Sequence, residues 1–126
     1  MNHTSRSVLL VDDNAAVRRG LRTLFEGNGF TCFEAEDGAD ALQQADELNP
    51  DIIVLDFSMP VMNGLEAAAR LNKIVPNTPV IMFTMYASEA FAKQAVAAGV
   101  AAGFSKDQAG THLLPKAVAL LKSTSK

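Results

Sequence analysis

The chain lacks most of the features that mark a specialised environment. It has a single cysteine, Cys32. No internal disulfide can form, which fits a reducing compartment, and Cys32 reads as a small hydrophobe buried in a strand. No apolar run approaches the roughly 20 residues that a membrane-spanning helix needs. Residues 1–7 are polar and lack the apolar segment of a signal peptide. The expectation is a soluble, cytoplasmic protein with no membrane contact. There is no excess of cations: 11 Lys and Arg stand against 14 Asp and Glu, a formal net charge of −3. Direct nucleic-acid binding is therefore not expected, because phosphate contacts need clustered Lys and Arg. Internal repeats, low-complexity tracts and blocks of like charge are absent. So are the glycine-rich cradles G-x-x-x-x-G-K-[ST] and G-x-G-x-x-G, which argues against a nucleotide or flavin site.

What remains is the composition of one ordinary globular unit. Apolar residues make up 48% and charged residues 20% of the chain, so disorder is not the default. A chain of 126 residues has room for one compact domain, read as residues 1–126 with a core over about 7–122.

The pattern along the chain alternates short apolar runs with segments of helical period. Val8, Leu9, Leu10 and Val11 form the first run. Val17, Leu21, Leu24 and Phe25 then recur at helical spacing, with Asn14 as a candidate cap and Gly27 or Gly29 as a stop. Residues 30–35 alternate and are rich in strand formers. Residues 39–48 read as a helix stopped before Pro50. Ile52, Ile53, Val54 and Leu55 are continuously apolar, as in a strand covered on both faces of a parallel sheet. Residues 58–64 carry turn chemistry, and 65–75 form a third helix. A second continuous strand covers 79–84, with Pro79 at its first position, where it does least harm. An Ala-rich helix over 88–98 ends at Gly99, and a weak strand covers 100–105. A last helix runs from about 111 or 112 to 122, with Thr111 as a candidate cap and Pro115 in its first turns. Five strands alternating with five helices, each crossover long enough for a right-handed βαβ unit, predict an α/β three-layer sandwich on a parallel sheet.

Polar residues stand out against such apolar strands. Asp12 and Asp13 end the first, Asp56 the third and Thr84 the fourth, while Lys106 follows the fifth. Carboxyl ends of parallel strands share one edge, where ligands bind near the switch point of the strand order. In the order 2-1-3-4-5, strands one and three are neighbours, and Asp12, Asp13 and Asp56 come together. Three carboxylates in one pocket repel unless they share protons or bind a cation. An open, oxygen-lined anionic site suits Mg²⁺, which keeps several waters and uses few carboxylates. With the Lys106 ammonium and the Thr84 hydroxyl nearby, the set suits a phosphoryl group in transfer. A carboxylate serves as nucleophile in such chemistry, and Asp56 sits centrally enough to be that group. Taken singly, each of these residues is ordinary turn, cap or surface chemistry. The case rests on all five converging.

These residues resemble a known family. Val8 through Asn14, with the acidic pair Asp12-Asp13, resembles the opening of bacterial two-component response-regulator receiver domains. The loop Asp56-Phe57-Ser58-Met59-Pro60-Val61-Met62-Asn63-Gly64 resembles their phosphorylation-site loop, the most specific signal in the chain. Phe83-Thr84-Met85-Tyr86 resembles the switch-threonine segment, and Ala98-Gly99 with Ser105-Lys106-Asp107 the lysine segment. The resemblance covers essentially the whole chain and implies a flavodoxin-like sheet of order 2-1-3-4-5. It also implies that Asp56 accepts a phosphoryl group from the phosphohistidine of a histidine kinase or phosphotransfer protein. Asp13, Asp56 and the backbone carbonyl of Ser58 would hold Mg²⁺, with Asp12 assisting through water. Lys106 would pair with the phosphoryl oxygens, and Thr84 would swing inward to bond them. The surface of helix four, strand five and helix five would then move. Beyond its own phosphorylation and dephosphorylation, no enzymatic activity is expected. Ser58 and Tyr86 occupy positions that tune the lifetime of the acyl phosphate.

Three positions depart from the family. Gly103 stands where an aromatic usually precedes the lysine by three residues, and strand alternation points Phe104 to the other face. Asp107 replaces the frequent proline; without proline a cis bond costs about 2.5–4 kcal/mol, so trans is expected. Met85 replaces a small residue after Thr84. No second domain is expected, and the output is therefore expected to be a protein contact. Helix five, with Leu113, Leu114, Ala117, Val118, Leu120 and Leu121, carries more apolar surface than one buried stripe needs. The surplus, joined by Phe91 and Val96, is a candidate partner or homodimer face. Arg18, Arg19 and Arg22 read as a solvated face or a kinase contact, and His3 and His112 as surface residues. The competing readings are a receiver-like interaction module that does not cycle phosphate, which Gly103 favours, and an aspartate-nucleophile phosphatase. The latter wants a second Asp where this chain has Ser58.

Overall fold

The computed structural model describes residues 6–57, 59, 62–84, 88–105 and 112–124, with the side chains of 105 and 122–124 left aside. Ten elements alternate: β1 Arg6–Val11, α1 Ala15–Glu26, β2 Phe30–Ala35, α2 Gly38–Leu48, β3 Ile52–Asp56, α3 Gly64–Ile74, β4 Val80–Thr84, α4 Glu89–Ala97, β5 Ala102–Ser105 and α5 Leu114–Thr124. The strands form one parallel sheet of order β2-β1-β3-β4-β5. This is the predicted order, with helices on both faces.

The two faces divide the apolar strands as their period of two requires. Leu9, Val11, Ile53, Leu55, Val80 and Met82 pack with Ala41, Ala45, Ala67, Ala68, Leu71, Phe91 and Ala95, the inner residues of α2, α3 and α4. Val8, Leu10, Ile52, Val54, Ile81 and Phe83 pack with Leu21 and Phe25 of α1 and Leu113, Ala117 and Leu121 at α5. Strands covered on both sides have no polar face to show. That explains the continuous runs at 52–55 and 80–83.

Local chemistry sets the ends. The Asn14 side chain accepts from the N–H groups of Ala16 and Val17 and starts α1. Asp37 caps α2, and Asn49 ends it in the left-handed region (φ 48°, ψ 61°). Asn63 and Glu66 form a reciprocal capping box at α3. Gly99, at φ 86°, turns the chain out of α4 toward β5. Pro115 lies at the second position of α5, in the first turn, where its missing N–H costs nothing. The Thr111 cap, the Asp107 peptide, Met85 and His3 lie outside the described residues.

Two surface expectations need correction. Phe91 is not on the surface: it is 7% exposed and belongs to the core, because it is the large side chain that seats α4 on the sheet. Most of the apolar surplus of α5 also goes inward: Leu121 is buried, and Leu114 and Leu120 pack against the same core. Val96, at 73% exposure, does stand in solvent. No helix among the described residues is long and apolar enough to cross a membrane.

Candidate functional site

Asp12 and Asp13 follow the last residue of β1, and Asp56 is the last residue of β3. Because β1 and β3 pair in parallel, with Val11 beside Leu55, all three carboxylates reach the same edge. One oxygen from each lies within 4.8 Å of the others. Asp12 and Asp56 are buried, and Asp13 is exposed. Two buried carboxylates beside a third, in an enclosure that keeps one side open to water, suit a hard divalent cation. Its charge offsets the repulsion, and its remaining positions hold water. The donor set fits Mg²⁺.

The backbone around this edge is tightly held. The Asp12 N–H donates to the Ala35 carbonyl at 3.2 Å, and Asp12 Oδ1 accepts from the Asn14 N–H at 2.8 Å. Past Asp56, the Phe57 N–H donates to the Phe83 carbonyl at 2.8 Å, and Gly64 N–H returns to the Phe57 carbonyl at 2.9 Å. Gly64 has no room for a side chain. A Cβ there would lie 2.6 Å from the Asp56 carbonyl oxygen and 2.7 Å from Phe57 Cα. The start of α3 thus presses directly on the end of β3.

Thr84 ends β4 and is buried, next to β3 in the sheet. On its other side it is in register with Ser105, the last residue of β5. Of the predicted site residues, Asp12, Asp13, Asp56 and Thr84 are therefore at one edge. Lys106, Ser58 and Tyr86 lie outside the described residues.

The space above Gly103 is filled from elsewhere. A Cβ on Gly103 would meet Phe91 Cε2 at 3.0 Å, and the Phe91 ring stands edge-on to Phe57, the residue after Asp56, with centroids 5.6 Å apart. An aromatic from α4 thus lies over the strand position that carries none. As alternation required, Phe104 faces the opposite side, against the core shared with α1 and α5.

Sequence reasoning also missed a charged network behind the acidic edge. Arg18 and Arg22 are not simply a solvated face. Arg18 Nε donates to Glu34 Oε1 at 2.9 Å, Arg18 Nη1 to the Asp12 carbonyl at 2.6 Å, and Arg22 Nη1 to Glu34 Oε2 at 2.6 Å. The hydrogen bonds from Arg22, then Arg18, hold the Glu34 carboxyl below its usual range. Glu34 in turn raises Arg22, and burial pushes the Cys32 thiol up. The visible signal was Glu34 itself, the one charged residue of β2, with arginines at i and i+4 on the preceding helix.

Sequence comparison decides the family. The model of the response regulator receiver domain matches residues 8–118. The chain belongs to the response regulator receiver family. It is 41% identical over 108 residues to the transcriptional regulatory protein YdfI of Bacillus subtilis, covering 84% of this chain and 50% of that protein. It is 36% identical over 95 residues to the chemotaxis protein CheY of Thermotoga maritima, covering 75% of this chain and 79% of CheY. Among solved structures, a LuxR-family two-component response regulator from Aurantimonas sp. SI85-9A1 superposes with a TM-score of 0.89 at 31% identity, over 95% of this chain and 87% of that one. The receiver spans about half the length of several curated relatives it matches. The family is that of two-component signalling.

Proposed function

We propose that this receiver is a Mg²⁺-dependent phosphorylation switch in which Asp56 is the acceptor. The observation that carries the reading is the convergence of the Asp12, Asp13 and Asp56 carboxylates within 4.8 Å, with Asp56 almost fully buried at the sheet edge. Asp13 and Asp56 would hold the ion, with Asp12 assisting, and the Ser58 backbone carbonyl would complete the protein's donors. When bound, Mg²⁺ neutralises charge on the phosphoryl oxygens. An Asp56 carboxylate oxygen attacks phosphorus, the bond from phosphorus to the donor's imidazole nitrogen breaks, and the imidazole leaves. Lys106 pairs with the phosphoryl oxygens. Thr84, buried beside the acceptor strand, turns its hydroxyl toward them. Water later cleaves the acyl phosphate, so the chain turns over only its own modification and acts on no separate substrate.

The donor is a histidine kinase or phosphotransfer protein in the cytoplasm. The output is a change in the protein-binding surface of α4, β5 and α5, toward a protein partner or a second copy rather than nucleic acid. Turning the Asp56 carboxylate into an acyl phosphate adds about one net negative charge and a phosphoryl group with three acceptor oxygens. That is enough to bias a nearby two-state element.

Incubation with acetyl phosphate, read by intact mass, tests this. A phosphate-sized gain is expected in wild type with Mg²⁺, and none with EDTA or in Asp56→Asn. No gain in a folded wild-type chain would leave the non-cycling interaction module as the better reading.

A further inference from the structure

Asp12 is fully buried, so its backbone carbonyl, just beyond the end of β1, needs a partner inside the protein. Arg18 supplies one, at 2.6 Å from Nη1. Arg18 is only 15% exposed, and its Nε is fixed by Glu34. Glu34 is itself held from a second side by Arg22, and its own carbonyl accepts from Gln44 Nε2 at 2.7 Å. The Arg18 backbone is equally constrained, because its N–H donates to the carbonyl of the cap residue Asn14 at 3.1 Å. The guanidinium is thus a rigid fork with one prong on β2 and one on the Asp12–Asp13 peptide. A lysine, with donors at a single tip, cannot reproduce that.

That peptide is the backbone link between two of the three carboxylates. Asp12 has a second restraint, from the Asn14 N–H to Oδ1. Asp13 is exposed, so the direction of its carboxylate depends heavily on how its peptide plane is set. We propose that Arg18 is a positioning residue for the metal-binding edge: by gripping the Asp12 carbonyl it sets the Asp12–Asp13 peptide and aims the Asp13 carboxylate at the ion. The inference rests on reading Asp12, Asp13 and Asp56 as the Mg²⁺ site.

Charge and positioning predict opposite signs. Removing a cation beside a cation site strengthens Mg²⁺ binding if charge alone matters, whereas removing a strut weakens it. Arg22→Gln is the matched control. It removes the same charge and breaks a bond to the same Glu34, but Arg22 reaches the Cys32 carbonyl, not that of Asp12.

The test is titration of the full chain with Mg²⁺ by calorimetry and by backbone amide NMR, for wild type, Arg18→Gln, Arg18→Lys and Arg22→Gln, with urea unfolding to confirm that each folds. The expected result is a Kd on the order of ten-fold weaker in Arg18→Gln, the usual range for loss of a group that orients a metal ligand. Arg22→Gln should stay within about two-fold, as for a partly exposed ion pair. Arg18→Lys, with charge kept and the fork lost, should also be weaker than wild type. The Asp13 amide resonance should shift before any Mg²⁺ is added in both Arg18 variants and not in Arg22→Gln. That signature separates positioning from a general loss of stability. Equal affinities in Arg18→Gln and Arg22→Gln, or tighter binding in Arg18→Gln, would overturn the proposal. A folded wild type that binds no Mg²⁺ would overturn the metal-site reading and this proposal with it. Should Arg18→Gln fail to fold, Arg18→Lys against wild type decides.

Discussion

The two halves of the sheet edge are held by different means. On the β2–β1–β3 side, the Asp12 and Asp56 backbones are tied by ladder and loop hydrogen bonds, Gly64 leaves no slack behind Asp56, and the Arg18–Glu34–Arg22 network clamps α1 to β2. On the β4–β5 side, α4 rests on the sheet through Phe91 and Ala95 with no ion pair among the described residues, and β5 is four residues long with a glycine inside it. The three clustered carboxylates, on which the proposed chemistry rests, sit on the first half. The second has the shorter strand and no such charged network among the described residues, and costs less to shift. A switch needs both, a rigid place to receive charge and a neighbour cheap enough to move, and the Phe57–Phe91 contact joins them.

Substitutions can break that contrast or sharpen it. The largest stability effect is expected from Phe91→Ala. A buried aromatic truncated to alanine costs about 3–5 kcal/mol, and loss should be concentrated in α4. A urea midpoint measured with hydrogen exchange by segment checks both points. An even loss across all segments would mean that α4 is not separately held. Gly64→Ala comes next, at about 2–3 kcal/mol, because the new methyl meets backbone rather than a movable side chain. Unlike Phe91→Ala, it should also disturb the amide resonances of Asp56 and Phe57.

A smaller effect is expected from acid. Glu34 is depressed in the folded state by Arg22 and then Arg18. Its contribution is therefore present above the ordinary glutamate value of 4.5 and is lost as pH falls through the lower folded value. Glu34→Gln should flatten the fall in urea midpoint between about pH 5 and pH 3, by less than about 1 kcal/mol, since the pair is partly exposed. A parallel fall in both proteins would show that the network adds nothing to the rigid half. Least of all, Val96→Ser should change stability by no more than about 0.5 kcal/mol, as measured by thermal unfolding.

The parallel sheet and the shared edge of the acids were legible because they follow from period and position, whereas the strand order came from the family resemblance. Continuous apolar strands require two covered faces, and acids at their carboxyl ends must share an edge. Asn14, Gly99 and Pro115 act where turn chemistry places them. Phe91 was misplaced because nine Ala-rich residues give little periodic signal, and only the glycine at 103 on a different element makes room for its ring. Arg18 was underrated for a related reason: its partner is a backbone carbonyl, which has no signature in sequence.

Hydrogen exchange with and without acetyl phosphate and Mg²⁺, on chains whose phosphorylation is confirmed by mass, tests the central claim most directly. Protection should change over α4 and β5 and stay constant over α1 and β2. Changes confined to α1 and β2, or none at all in fully phosphorylated protein, would contradict it.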